Sequence, residues 1–441
     1  MKRLLSLLLC AVLALFCATT AQAAGVSITL TASEYALHYA FDAGAQDPFV
    51  ILEYTTPAEK GWMMLYSADG HFEGDVSLAY SGAGGKTSVA LTSARTTGSI
   101  GKASTTLPKA VDYQKPTGKS NAKVMDFVLT ETPEGFHYAF NAIGTDYMLL
   151  YWRSKEQTVT QPVYPDENGH YEGDVISDLT FARTQFTVQV KSGSGSMKKE
   201  ATVRKGYQAP EAPQRQEGRL SGVTVCIDAG HQENGRFVNE PIGPGLSGST
   251  SGKGGMAQGT KTNRRESIVC LEIGMLLRDE LLRQGANVIM TREDQTTFHT
   301  NIERCEIAEA GGAQIMLRLH CNNSSNHSKR GIQVYGPLNS DYAKAVADAD
   351  TYREMGQKLL DAMKTRVGMT LANSTGMVRL NDNYVGNNWA KMMCFLVEMG
   401  YLSNPAEEYL LVTPVYQQWL AEGMADGVYE IAVARGWVQA Q

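Results

Sequence analysis

The chain has 441 residues, a formal net charge of −6, a hydrophobic share of 43% and seven cysteines. At roughly 150 residues per domain, this length suggests about three domains with real cores. The acidic balance argues against nucleic-acid binding, which needs basic stripes to neutralise phosphates, and against simple charge attraction to anionic wall polymers.

Lys2 and Arg3 precede an almost unbroken apolar run, Leu4 to Phe16, and Ala21-Gln22-Ala23 supplies an A-x-A cleavage site. The run is shorter than the roughly 20 residues a membrane helix needs. Residues 1–23 are read as a signal peptide, and Phe16 before Cys17 is a poor match to lipoprotein processing. The expectation is a secreted, cell-envelope protein with no membrane span after signal removal. Cys10 and Cys17 would leave with the signal. The remaining Cys226, Cys270, Cys305, Cys321 and Cys394 are odd in number and lack C-x-x-C spacing, which argues against a disulfide framework. Cys226, Cys270 and Cys394 lie in apolar segments and are read as buried thiols.

The N-terminal half repeats itself. His38-Tyr39-Ala40-Phe41-Asp42-Ala43 returns as His137-Tyr138-Ala139-Phe140-Asn141-Ala142, and Gly70-His71-Phe72-Glu73-Gly74-Asp75-Val76 returns as Gly169-His170-Tyr171-Glu172-Gly173-Asp174-Val175. Both motifs recur after the same interval, so nothing was inserted between them. Strands are expected at Val26–Thr31, Phe49–Tyr54, Met63–Tyr66, Val124–Thr130, Tyr147–Trp152 and Thr187–Val190, separated by turn residues. The fold class is therefore two tandem all-β sandwich-like repeats, residues 24–116 and 120–207. The His, Glu and Asp of the second motif are read as part of a hairpin turn rather than a metal site. The repeats are candidates for binding the envelope or an activator protein, and no ligand can be named from them.

Residues 208–219 carry Pro210 and Pro213 without periodicity and form a linker. From 220 to 441 the pattern changes to an α/β domain with a mixed, largely parallel sheet flanked by helices. Strands are expected at Val223–Ile227, Asn287–Thr291, Gln314–Leu319, Gly331–Tyr335 and Cys394–Val397. Helices are expected at Ser267–Gln284, Asn301–Ala310, Tyr342–Thr365 and Val415–Ala434.

Ligands in such sheets bind beyond the carboxyl ends of the strands. There the chain places Asp228-Ala229-Gly230-His231, His320-Cys321-Asn322-Asn323 and Glu398-Met399-Gly400, with Glu266 opening a helix after a glycine-rich loop. Two imidazoles and a carboxylate suit tetrahedral zinc with one position left for water, and a further carboxylate can take that water's proton. Each residue also has a plainer role. His231 could be a turn residue and His320 a hydrogen-bonded strand-end histidine. Asn263-x-x-Glu266 has the form of a capping box, and Glu398 could pair with an arginine. Residue pattern alone stops at a metal hydrolase.

Asp228-Ala229-Gly230-His231, Glu266, Leu319-His320-Cys321-Asn322 and Val397-Glu398-Met399-Gly400-Tyr401-Leu402-Ser403-Asn404-Pro405 resemble the zinc-dependent N-acetylmuramoyl-L-alanine amidases over about residues 220–435. The resemblance implies Zn2+ held by His231, Glu266 and His320, with Glu398 as catalytic carboxylate. It implies peptidoglycan as substrate, cut at the amide joining N-acetylmuramic acid to L-alanine of the stem peptide. Ala229, Gln232 and Cys321 stand where the family more often has Pro, Gly and Ala, and Cys321 is expected to point away from the ion. The stretch from Glu240 through Gly259 is an addition, read as a mobile rim or a tolerated surface insertion. Arg318 and Asn322 are candidates to orient substrate. The rival readings are another zinc peptidase acting on stem peptides and a non-catalytic envelope-binding protein.

Overall fold

The computed structural model describes residues 19–22 and 26–440, apart from 34–35, 58–59, 79–83, 97, 110–120, 133–134, 146, 154–157, 177–183, 206–208, 233–237, 251–254 and 368–376. Most of the stretch read as a signal, with Ala23 at its cleavage site, lies outside the described residues. The chain divides after Thr117 into two compact units.

In the first unit, β1 (Thr19–Gln22), β2 (Ser27–Ala32), β3 (Ala36–Asp42) and β6 (His71–Ser77) form one antiparallel sheet. β5 (Lys60–Tyr66), β4 (Phe49–Thr55), β7 (Gly85–Ser93) and β8 (Ser99–Leu107) form a second. Alternation with period two turns Leu37, Tyr39 and Phe41 of β3 inward. There they meet Val50, Leu52, Val89 and Leu91 of the other sheet in one apolar cluster. Tyr39 also explains a glycine of the repeated motif: a Cβ at Gly74 would stand 2.8 Å from its hydroxyl.

The second unit opens the same way. β9 (Lys123–Thr132), β10 (Gly135–Ile143) and β13 (His170–Ile176) form a three-stranded sheet. β12 (Thr158–Val163), β11 (Met148–Arg153), β14 (Thr184–Ser192) and β15 (Met197–Lys205) form a four-stranded one. Phe136, Phe140, Trp152 and Phe186 share its core. Gly173 again lies under a tyrosine hydroxyl, that of Tyr138, at 2.7 Å. One expectation fails in both copies. The His-x-Glu-x-Asp segment is a strand and not a hairpin turn; the turn is the Asp-and-Gly segment just before it, Ser67–Gly70 and Asp166–Gly169.

The α/β domain is built on six strands in the order β17-β16-β18-β21-β19-β20. These are β16 (Thr224–Ala229), β17 (Asn287–Met290), β18 (Ile315–Asn322), β19 (Gln333–Gly336), β20 (Met377–Leu380) and β21 (Met393–Tyr401). β16, β17, β18 and β21 are parallel, and β19 joins β21 antiparallel, so the sheet is mixed. The helices are α1 (Glu266–Arg283), α2 (Asn301–Ala310), α3 (Asp341–Val346), α4 (Ala349–Val367), α5 (Val385–Trp389), α6 (Glu407–Leu411) and α7 (Pro414–Ala434). Alternate strand residues serve opposite faces. Cys226, Met316 and Cys394 pack with Cys305 and Ala308 of α2. Ile227, Ala229 and Leu319 face Gly274 of α1.

The expected helix from Tyr342 to Thr365 is two helices, because Ala347 has extended backbone that breaks the ladder. β20, α5 and α6 are too short to carry a periodic signal. β18 and β21 run past their expected ends, so His320 and Glu398 lie within strands. All five cysteines of this domain are free and buried.

Candidate active site

The parallel pairing of β18 with β21 sets His320 opposite Glu398. The neighbouring strand β16 leads into Gly230 and His231, and Gly230 N–H donates to Leu319 O at 2.9 Å. Gly230 has no room for a side chain: a Cβ would lie 2.5 Å from Leu319 O and 2.6 Å from His320 Cε1. His231 follows with φ +58°, in the left-handed region that non-glycine residues rarely occupy. Two arginines hold it there. Arg292 donates to Ala229 O at 2.8 Å and Gly230 O at 2.9 Å, and Arg304 donates to His231 O at 3.1 Å.

Beneath these arginines lies Asp228, fully buried. It pairs with Arg304, accepts from Arg318 Nε at 2.8 Å and accepts from Thr291 Oγ1 at 2.8 Å. Burial alone would raise its carboxyl pKa, but the two guanidinium groups win and hold it far below the usual carboxylate range. Arg318, which lines the cleft, donates to Asp228 Oδ2 and to Asn301 Oδ1 at 2.7 Å.

Glu266 is the first residue of α1, with Arg265 as N-cap and no side-chain cap. The Asn263-x-x-Glu266 capping box does not form; Asn263 has φ +54°. A capping box does form one helix later, between Thr300 and Glu303. The Glu266 carboxylate turns inward instead. Its Oε1 lies 3.0 Å from His231 Nε2 and 2.9 Å from His320 Nδ1. Backbone N–H groups of Ala257 and Cys321 donate to its two oxygens at 2.8 and 3.1 Å. Burial opposes ionisation of Glu266, yet the two imidazoles hold its pKa well below the ordinary value. Burial lowers that of His320.

One donor atom from each of His231, Glu266 and His320 fits within 4.8 Å of the others, so these three could hold a metal ion. The donor set, two imidazoles and a carboxylate, suits zinc. Among the described residues, His320 Nε2 and Glu398 Oε2 are buried without a hydrogen-bond partner, which is how groups awaiting a ligand stand. Glu398 forms no arginine pair among the described residues, and its pKa is pushed up to about 8, by burial first and then by Glu266. Cys321 is buried, and burial holds its thiol pKa well up. The imidazole rings of His231 and His320 meet edge to face at 4.9 Å.

These groups line a cleft of about 850 Å³, with Val238, Glu240, Thr250, Met256 and Tyr384 on its walls. The added stretch from Glu240 is anchored at both ends. Glu240 accepts from the N–H groups of Asn301 and Ile302, at 3.2 and 2.8 Å, at the start of α2. Trp389 Nε1 donates to Pro241 O at 2.9 Å, and Glu408 accepts from the Lys261 and Thr262 N–H groups at 2.9 and 3.2 Å. Glu240 thus supplies a helix N-terminus with its anion from outside the helix, a role that no local pattern reveals. Glu240→Ala should cost about 1–2 kcal/mol in urea unfolding and hasten proteolysis in the loop. Gly230→Ala should lower metal affinity about tenfold or more by displacing His320, as read by zinc titration.

Residues 225–430 match the family described as N-acetylmuramoyl-L-alanine amidase. The germination-specific N-acetylmuramoyl-L-alanine amidase of Bacillus subtilis is 26% identical over 231 residues, 49% of this chain and 83% of that protein. A Staphylococcus aureus protein described as "Probable cell wall amidase LytH" is 27% identical over 218 residues, 48% of this chain and 60% of its own length. Among solved structures, the amidase Ami1 of Mycobacterium smegmatis is similar, with a TM-score of 0.43 and 17% identity over 49% of this chain and 99% of that one. The cleft between β16, β18, β21 and α1 therefore belongs to an N-acetylmuramoyl-L-alanine amidase domain, which this chain carries at residues 225–430.

Proposed function

We propose that this chain is an exported zinc-dependent amidase that hydrolyses the bond between N-acetylmuramic acid and the L-alanine of the peptidoglycan stem. The observation that carries this reading is Glu266 Oε1 seated 2.9–3.0 Å from both imidazoles, with Glu398 beside them on the next strand. His231, Glu266 and His320 would hold the ion. When bound, a zinc ion polarises a carbonyl and acidifies water.

The remaining work falls to the protein. Glu398 accepts the proton of the attacking water and then donates it to the departing L-alanine nitrogen. A buried carboxylate with a raised pKa suits a group that must both take and return a proton near neutral pH. The Asp228–Arg304–Arg318 cluster and Arg292 keep His231 in its unfavourable backbone conformation, so the imidazoles do not reorganise during turnover. Glu240 and Glu408 fix the wall that the stem peptide would pass.

The domain plan proposed with it is a signal peptide (1–23), whose removal takes the edge strand β1 with it, two sandwich-like repeats (24–116 and 120–207), a linker (208–219) and the catalytic domain (220–441). The repeats suit attachment to the envelope or to a partner protein. The test is digestion of purified peptidoglycan by the full chain, with and without a chelator, reading the products by mass. Release of intact stem peptides with an L-alanine amino terminus is expected, with more than tenfold loss on chelation and recovery on adding zinc. Release of single terminal amino acids would mark a carboxypeptidase instead and overturn the bond assignment.

A further inference from the structure

The histidines of the N-terminal repeats form a second constellation. Pairing of β3 with β6 sets His38 opposite Asp75, Ala40 opposite Glu73 and Asp42 opposite His71. Pairing of β10 with β13 sets His137 opposite Asp174, Ala139 opposite Glu172 and Asn141 opposite His170. All six residues in each set share the outward face, because side chains of a strand alternate. The alanine facing each glutamate leaves room for one imidazole to lean in from either side.

The contacts repeat almost atom for atom. His38 Nδ1 lies 3.0 Å from Asp75 Oδ1, and its Nε2 lies 3.3 Å from Glu73 Oε1. His71 Nδ1 lies 2.7 Å from Asp42 Oδ1, and its Nε2 lies 3.7 Å from Glu73 Oε2. In the second copy the corresponding distances are 2.9 and 3.2 Å for His137 with Asp174 and Glu172. They are 2.9 and 3.8 Å for His170 with Asn141 Oδ1 and Glu172. The one change of residue preserves the chemistry. Asn141 presents its carbonyl oxygen to His170 while its Nδ2 donates to Asp126 Oδ2 at 3.1 Å.

The tautomers decide what is missing. Each Nδ1 has an oxygen acceptor at hydrogen-bond distance and so carries the proton. The Nε2 edge of each ring then faces a carboxylate oxygen, a contact that is favourable only when a proton or another cation lies between. The Nε2–carboxylate separations of 3.2–3.8 Å exceed the roughly 2.7–2.9 Å of a charge-assisted hydrogen bond. They begin near the roughly 3.3 Å edge of a tetrahedron with zinc–nitrogen and zinc–oxygen bonds of about 2.0–2.2 Å. An Nδ1 held by an oxygen acceptor is also the arrangement that orients metal-binding imidazoles. Three carboxylates surround the two imidazoles in the first copy, Asp42, Glu73 and Asp75, and two in the second, Glu172 and Asp174, which adds a local negative field.

We propose that each repeat carries a surface site for one zinc-class divalent cation, held by His38, His71 and Glu73 in the first and by His137, His170 and Glu172 in the second. Neither set has all three donors within 4.8 Å of one another, as the catalytic cluster has. Closing on an ion therefore needs rotamer adjustment, which side chains 29–59% exposed make readily.

The test is zinc content of the full chain after equilibrium dialysis at micromolar free zinc, compared among four proteins. The wild type should hold about three ions per chain. Glu73→Gln/Glu172→Gln and His71→Ala/His170→Ala should each hold about one, and His231→Ala/His320→Ala about two. All the substituted ladder residues are on the surface, and circular dichroism checks that the sheets persist. Ladder variants that retain the wild-type zinc content would overturn the proposal, as would a wild type whose zinc is lost entirely in His231→Ala/His320→Ala. A failed catalytic assignment shows itself separately, as a His231→Ala/His320→Ala protein with undiminished zinc.

Discussion

Replacing Glu398 with glutamine should lower turnover of peptidoglycan by about 10²–10⁴-fold while zinc content stays at the wild-type level. The amide keeps the shape of the side chain but cannot accept the water proton. It also cannot carry a proton to the leaving nitrogen. In the proposed site the ion would be held by His231, Glu266 and His320, whose contacts the substitution leaves alone. Single-turnover digestion and elemental analysis on one preparation separate the two quantities. Near-normal turnover would remove Glu398 from the mechanism. Loss of zinc together with activity would make it a ligand instead.

The second large effect is structural. Asp228→Asn should destabilise the protein by about 3–5 kcal/mol, because it leaves the guanidinium groups of Arg304 and Arg318 buried beside a neutral amide. That is a large part of the roughly 5–15 kcal/mol that typically separates a folded domain from its unfolded chain. Urea unfolding followed by tryptophan fluorescence reads it. The sign of the pH dependence follows from the depressed pKa of Asp228. A carboxylate whose folded pKa lies below its unfolded one stabilises above the unfolded value, about 3.9, and loses that contribution as pH falls toward the folded value. The urea midpoint of the wild type should therefore drop on acidification below about pH 4, and that of Asp228→Asn should drop less. Equal slopes would mean the cluster contributes nothing net. Because Arg304 also donates to His231 O, zinc affinity should weaken in the same variant.

Much of this was legible in the residues. The change from period two to period 3.6 near residue 220 marks the α/β domain, and the four polar residues at its strand and helix ends do meet in one cleft. Asn301–Ala310 is a helix with the expected bounds because Thr300 and Glu303 cap it locally. Where local pattern and tertiary demand conflict, tertiary demand wins. Asn263-x-x-Glu266 has the spacing of a capping box, yet the carboxylate goes to two imidazoles, one of them on a strand more than fifty residues away. Likewise the His-x-Glu-x-Asp segments look like turns beside their Asp-Gly and Asn-Gly neighbours. They are strands because each has a partner strand to complete its ladder.

Sequence by itself determined the alternation of strands and longer helices after residue 220, and which residue types stand near the carboxyl ends of the parallel strands. These follow from the chain's local geometry. Only the tertiary structure decided that His320 faces Glu398, that Asp228 is shared by Arg304 and Arg318, and that the repeated histidines lean on one glutamate. Those pairings depend on the register between segments distant along the chain. Register is set by burying one whole face of a sheet, not by any residue's own preference.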